Sequence, residues 1–555
     1  MSRADTAPTG AMPASAGLLD RARIIARPGF NRWLVPPAAV AIHLCIGMAY
    51  GFSVYWLPLS RALGGAKPIA CAAGTGLFSV LLASNCDWAV SDLVLTFTIA
   101  IVLLGASAAI WGGWLERAGP RKAGFVAALC WGGGYLIAAA GVFVHQLWLI
   151  WLGLGLIGGV GLGLGYISPV STLIKWFPDR RGMATGMAIM GFGGGAMIGA
   201  PLANSLIASF PATAGQNVAL TFAVTGVIYF VVMTIGAFGY RVPPENWQPE
   251  GWTPPAESGR PMITTRHVHL HMAPRTPQFW LIWAVLCLNV SAGIGILAMA
   301  SPMLQEIFAG KLIGAPDVGF TALDAHQRAA VAAIAAGFAG LLSLFNIAGR
   351  FFWASLSDRL GRKNTYTTFF ILGMIVYASA PSAAHMGSKA LFVACLCIAL
   401  SMYGGGFATV PAYLADIFGT KFVGAIHGLI LTAWSTAGVI GPVLVTYIRD
   451  TQISAGVARS AVYDRTLYIL AGLLFLGFIA NLLIRPLDEK WFMKEEDEAR
   501  RDLAAHPAAK VSAAGSFGIG RGGFTPGALL AWLAIGIPLA WGIFITLSHT
   551  LVMFR

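Results

Sequence analysis

The stretch Gly112-Gly113-Trp114-Leu115-Glu116-Arg117-Ala118-Gly119-Pro120-Arg121-Lys122 has a counterpart in Ser357-Asp358-Arg359-Leu360-Gly361-Arg362-Lys363. Each runs acid, arginine, glycine and a closing Arg-Lys pair, and the acids stand 242 residues apart (358 minus 116). An apolar segment long enough to cross about 30 Å of hydrocarbon precedes each copy, and another follows. A second correspondence pairs Trp176-Phe177-Pro178-Asp179-Arg180-Arg181-Gly182-Met183-Ala184-Thr185-Gly186 with Ile417-Phe418-Gly419-Thr420-Lys421 through Gly428. Repetition at this period indicates two halves built alike.

Outward from these loops, thirteen apolar spans divide the chain. The expected organisation is a tail over 1–33, a six-span half over 34–240, a Pro-rich polar linker over 241–277 and a second six-span half over 278–487. A charged segment over 488–525 and one further span over 526–551 complete it. Over 488–510 the mixed charges suggest a short surface helix. Composition agrees: of 555 residues 57% are hydrophobic and 11% charged, and the mean hydropathy of +0.73 lies outside the soluble range. This is an all-α membrane protein.

The net charge of +13 would suggest nucleic acid in a soluble chain, but Lys and Arg crowd the loops on one side of the spans. The positive-inside rule then explains the charge, excludes nucleic acid as a partner, and puts the N-terminus in the cytoplasm. An odd number of spans leaves the C-terminus outside. The location implied is a bacterial-type inner (plasma) membrane. Arg21, Arg23, Arg27 and Arg32 precede a first span too long for a cleavable signal. Cys71 and Cys86 share the first external loop, where a disulfide and two free thiols are both open, the thiols being the preferred reading. His267, His269 and His271 alternate in the linker with nothing nearby to complete a metal site, so no metal or other cofactor is expected.

The acid-Arg-x-Gly-Arg-Lys loop, present in both halves, resembles the signature of the major facilitator superfamily. The resemblance implies the major facilitator fold: two six-helix halves, twelve transmembrane helices, with one extra C-terminal helix here. It also implies alternating access, in which Glu116, Arg117, Arg121, Lys122 and Asp358, Arg359, Arg362, Lys363 form cytoplasmic gating loops that latch neighbouring helices. The extra helix resembles a small one-span protein found beside some such transporters, and reads as an accessory to a monomeric transport unit.

Polar groups inside spans are costly, so they mark the candidate site. Arg350 lies within Asn346-Ile347-Ala348-Gly349-Arg350-Phe351. An uncompensated arginine at mid-membrane costs about 2.5–3.5 kcal/mol on an insertion scale. No Asp or Glu lies inside a span, since Glu116, Glu306, Asp358 and Asp416 fall at ends. An anionic substrate could offset the cost, because a guanidinium matches the two oxygens of a carboxylate. Snorkelling to the interface, or pairing with backbone carbonyls, is the competing reading. Asn346, four residues away, shares the helix face of Arg350 and could orient it. Tyr50, Tyr55, Tyr166, Tyr403, Phe407 and Trp434 could box a small anion. His43 and His427 are the in-span groups that could titrate near neutrality, and so the possible proton-linked residues.

Here the likeness narrows to the oxalate/formate antiporter family, with a weaker likeness to monocarboxylate transporters. Members keep an arginine in span eight, matching Arg350. The family's oxalate carrier has a lysine in span eleven where this chain has Trp434. One buried cation suits one carboxylate and leaves the second charge of a dianion uncompensated. The expected substrate is therefore a small organic anion, a monocarboxylate of the formate, acetate, lactate or pyruvate type, moved by antiport or symport. Oxalate/formate exchange and efflux of hydrophobic compounds are the alternatives. An enzyme would need a nucleophile, metal set or acid/base pair near the site, and no such cluster is visible.

Overall fold

In the computed structural model the described residues are 17–550, apart from 65–68, 70, 73–76, 89, 212–214, 245–246, 253–261 and 495–524. Thirteen long helical segments run through them. The first half holds α1 (Val35–Ile46, continued through a 3-10 stretch Gly47–Gly51 into Ser53–Leu59), α2 (Val90–Ala118), α3 (Pro120–Phe143), α4 (Leu147–Trp176), α5 (Arg181–Ser209) and α6 (Gln216–Gly239). The second holds α7 (Pro277–Phe308), α8 (Ala325–Leu360), α9 (Arg362–His385), α10 (Lys389–Phe418), α11 (Val423–Ser454) and α12 (Asp464–Leu483). α13 (Pro526–Thr550) follows. Twelve of these are long and apolar enough, by length and composition, to cross a membrane. The other long helix is α8, which carries Arg350.

Packing repeats between the halves. α1 packs on α4, α5 and α6, and α3 packs on α4 and α6. Six helices later, α7 packs on α10, α11 and α12, and α9 packs on α10 and α12. The halves meet along two equivalent seams, α2 against α11 and α5 against α8. An exchange of halves maps one seam onto the other, as expected of duplicated units.

The duplication reaches the backbone of the opening motif. Gly119 and Gly361 precede α3 and α9 with φ/ψ of 87°/159° and 84°/148°. Positive φ at both explains why each copy keeps a glycine there. At the same places Arg121 donates to the carbonyls of Phe238 and Tyr240 at the end of α6. Lys363 donates to those of Leu482 and Ile484 at the end of α12. Both side chains satisfy carbonyls a helix end leaves open.

One expectation is corrected, and the structure adds detail at three other places. The first span is not one α-helix, because Gly47–Gly51 tightens to 3-10 where α1 meets α5: a side-chain carbon on Gly47 would strike the carbonyl of Phe192. Cys71 and Cys86 are bonded to each other, correcting the free-thiol reading. They are brought together because the Asp87 carboxylate gathers the backbone N–H groups of Leu63, Gly64 and Ile69. The linker does not hang free beneath the C-terminal half: Thr264 and Val268 donate to the carbonyls of Asp416 and Phe418 at the end of α10. The surface helix expected over 488–510 falls largely on 495–524, outside the described residues; Glu489–Trp491 forms a 3-10 turn at its start.

α13 lies against α1, α5 and α8, covering the α5–α8 seam. A methyl-sized group on Gly542 would touch Met197 at 3.2 Å, and one on Gly194 would meet Leu539. Small residues allow this approach where no hydrophobic force drives helices together.

Candidate functional site

Arg350 is fully buried. It is placed by close packing of α8 on α10, since any side chain on Gly349 would strike the carbonyl of Ser401, and any on Gly404 that of Asn346. Gly193 on α5 leaves space beside the guanidinium. Nε donates to Asn346 Oδ1 at 3.1 Å and Nη1 to the Ile189 carbonyl at 3.3 Å, so the arginine reaches across the α5–α8 seam. Nη2 is buried with no hydrogen-bond partner, and no carboxylate of the described residues forms an ion pair with Arg350. The side chain points into the interior, and Nη1 on the Ile189 carbonyl is the backbone pairing that the competing reading allowed.

Around the guanidinium stand aromatic rings from both halves. Phe407 and Phe192 lie 5.4 and 5.8 Å from its central carbon, within cation–π range. Trp434 packs on Phe407 at 4.6 Å and on Phe192 and Tyr166 at 5.4 Å. Tyr50 packs on Phe192 at 5.0 Å, and its hydroxyl meets that of Tyr403 at 3.2 Å, closing α1 onto α10. The Trp434 Nε1 and the Tyr166 hydroxyl are buried without partners. With Nη2 of the cation itself, these two donors are groups that a carboxylate could satisfy, and leaving such a group unpaired costs about 1–3 kcal/mol.

Of the residues singled out from sequence, Arg350, Asn346, Tyr50, Tyr166, Tyr403, Phe407 and Trp434 therefore converge. Tyr55 does not. It is packed against Phe222 at 4.6 Å inside the first half. Phe192 belongs to the site and was overlooked as one apolar residue among many on α5. The repeat of glycines at Gly191, Gly193, Gly194 and Gly195 around it was the signal that this face lies close to its neighbours.

The histidines flank the box. His43 sits 5.2 Å from the Tyr166 ring with its two ring nitrogens against the carbonyls of Ala188 and Tyr166. His427 lies 5.8 Å from Tyr166 on the other side, both nitrogens without partners. His269 and His271 have rings 5.2 Å apart, but no group of three or more metal-binding side chains occurs among the described residues.

At the motif-bearing end the loops join the two halves in pairs. The Asp358 carboxylate accepts from the Gly182 and Met183 N–H groups at the start of α5, at 2.8 and 2.9 Å. The Glu116 carboxylate accepts from the Gly424 N–H at the start of α11 at 3.1 Å, and is held by Lys175 and Ser171. Each acid thus sits at the N-terminus of a helix of the opposite half, where backbone N–H groups favour negative charge. Arg362 joins Asp358 to Asp416, and Asp416 binds Arg181 of the opposite half. Arg181, Lys175 and Asp416 were not expected among the gating residues. Of those expected, Arg117 and Arg359 are exposed, Lys122 is half-buried, and Arg121 and Lys363 act within their own halves.

Two pseudo-symmetric helix bundles, with a buried arginine and aromatic rings between them and ion pairs joining them at one end, have the architecture of a carrier. The chain belongs to the Major Facilitator Superfamily, whose family model matches residues 39–442 and 339–554. It is similar to the oxalate:formate antiporter of Oxalobacter formigenes, 26% identical over 477 residues covering 84% of this chain and 96% of that protein. It is also similar to the apicoplast pyruvate carrier 1 of Toxoplasma gondii, 26% identical over 459 residues, 70% of this chain and 79% of that protein. Among solved structures, the Escherichia coli fucose:proton symporter shares the fold with a TM-score of 0.54 at 13% identity, over 81% of this chain and 98% of that one.

Proposed function

We propose that this membrane transporter carries small monocarboxylates by alternating access, binding one carboxylate on Arg350. The observation that carries the reading is the buried Nη2 of Arg350, unpaired and set among rings from both halves. The carboxylate takes the free Nη2 donor, and the indole N–H of Trp434 and the hydroxyl of Tyr166 complete its hydrogen bonds. The site contains no second permanent cation among the described residues, so a dianion would bury an unmatched charge. Oxalate is disfavoured for that reason, and the similarity to an oxalate:formate antiporter and a pyruvate carrier supports an anion of this size.

The anchoring residues come from both halves: Arg350, Tyr403, Phe407 and Trp434 from the second, Tyr50, Tyr166 and Phe192 from the first. Rocking of the halves would therefore pull the box apart on one side while the Asp358 and Glu116 latches hold or release the other. We assign the latch end to the cytoplasm from its basic loops, and the transport unit to the monomer with α13 as its accessory helix.

The test is exchange of radiolabelled formate, pyruvate and oxalate in proteoliposomes containing the unaltered protein, Arg350→Lys or Arg350→Gln. Pyruvate or formate exchange lost in the Gln variant and impaired in the Lys variant is expected. Exchange retained in both, or oxalate carried with monocarboxylates ignored, would remove this reading.

A further inference from the structure

α13 turns one face to the carrier and the rest outward. Ala528, Leu539 and Gly542 share a helix face, with Ala528 and Gly542 buried, whereas Leu530, Leu533, Ile537 and Phe544 are exposed. Against α5 the fit is close and in register. A side-chain carbon on Gly194 would stand 2.8 Å from Leu539, and one on Gly542 would stand 3.3 Å from Met197 Cβ. Both helices advance by the same three residues between these contacts, so α13 runs beside α5 in the same direction.

Gly193 and Gly194 are neighbours on α5 that face different ways. A carbon on Gly193 would meet Ile347 and the Nε of Arg350, both on α8; one on Gly194 would meet Leu539 of α13 and Leu44 of α1. One turn of α5 therefore holds the site arginine on one side and α13 on the other. α13 also packs on α8 itself, and on α1 and the turn Arg32–Leu34 of the first half. It is thus seated on both halves, outside the seam that Arg350 crosses to reach the Ile189 carbonyl. Rocking moves α5 and α8 relative to each other, and a helix seated on both must give up its fit to one of them. The glycine-fitted contacts, at Gly194 and Met197, belong to the first half.

We propose that α13 is a strap: it travels with the first half, bears on α8 across the α5–α8 seam, and so favours the arrangement closed at the latch end. This rests on the alternating-access reading above and gives the extra helix a role in it. A body that touches both halves in one arrangement and only one half in another stabilises the first by the difference in contact.

The first test reads the distance between spin labels on Arg117→Cys and Arg359→Cys of the full chain, exposed at the ends of α2 and α8 in opposite halves. Adding Leu539→Ala, or Gly542→Leu, should shift the population toward longer distances, and Leu533→Ala, on an exposed face of α13, should not. Distances unchanged by Leu539→Ala, or lengthened as much by Leu533→Ala, overturn the inference. The second test joins α13 to α5 through Met197→Cys and Gly542→Cys, whose separation is close to the roughly 3.5–4.5 Å between the Cβ atoms of a disulfide. The oxidised pair should exchange pyruvate in proteoliposomes at the rate of its reduced form. Exchange arrested by oxidation and restored by reductant, with the unaltered protein indifferent to both, overturns the inference, because α13 must then leave α5 during the cycle. The distances need no substrate, so an absence of pyruvate exchange in every form overturns the carboxylate reading and not this one.

Discussion

Asp416 and Arg181 form an ion pair at 2.9 Å between the end of α10 and the start of α5, joining the halves beside the Asp358 latch. The same carboxylate accepts from Arg362 Nε at 3.2 Å, so one acid serves two arginines. Asp416→Asn leaves both with reduced compensation, and removing one partner of a buried charge pair costs about 2–5 kcal/mol. That cost falls on the state closed at this end. The expected result is a shift toward opening there, measured as faster thiol labelling of a Thr185→Cys reporter, which is buried on α5 against the Ala408 carbonyl of the opposite half. Unchanged labelling would show that Asp416 is not part of the latch.

Trp434 offers an indole N–H without a partner beside Arg350. Trp434→Phe keeps the ring contacts with Phe407 and Phe192 and removes that donor. A hydrogen bond to a charged group is worth about 1.5–3 kcal/mol, so pyruvate affinity should fall roughly 10- to 100-fold. Trp434→Lys instead supplies a second cation, and should move preference from monocarboxylate toward oxalate. Competition binding with both anions checks the pair of variants.

The Cys71–Cys86 bond spans 15 residues of sequence in the loop gathered by Asp87. Closing a loop of that size contributes about 3 kcal/mol in the chain-entropy view. Around it, Trp88 stacks on His145 at 4.0 Å and His145 Nε2 donates to the Cys86 carbonyl at 2.8 Å. Reductant should lower the unfolding temperature of the unaltered protein and leave Cys71→Ser unaffected, read by a thermal shift assay.

Glu306, past the apolar stretch of α7, binds Arg449, Arg459 and Tyr463, the last two at 2.8 and 2.6 Å. Burial opposes its ionisation, but the hydrogen bonds from Arg449 and Tyr463 and the two guanidinium charges outweigh it and hold the carboxyl below its ordinary value of 4.5. A depressed folded-state value gives stability that is full above about pH 4.5 and is lost as pH falls through the lower folded value. Glu306→Gln should lower the unfolding temperature near neutrality and flatten its decline on acidification. An unaltered acid limb in that variant would assign the decline to other carboxylates.

Particular residues show how far the sequence could be read. Arg350 was visible because charge is rare in apolar helices; that its helix face is crowded emerged only from the contact of Gly349 with Ser401. Tyr50 and Tyr55 looked equivalent, yet the 3-10 stretch Gly47–Gly51 and the α-helix resuming at Ser53 put them on different faces. One therefore faces the opposite half and the other faces α6. Phe192 carried no signal of its own, being an aromatic residue in an aromatic-rich membrane protein. Asp416 and Arg181 stood at helix ends in plain view, but their pairing depends on how closely two halves approach.

The sequence by itself determined the membrane class, the duplication and the isolation of one arginine, because these rest on apolar length, internal repetition and the cost of buried charge, all local to the chain. Tertiary structure decided which rings close around that arginine, which of its nitrogens is left free, that Cys71 meets Cys86, and that His43 stands between two carbonyls. Those facts depend on the rotation and separation of helices distant in sequence, set by close contacts such as Gly349 on Ser401, and no local pattern encodes them.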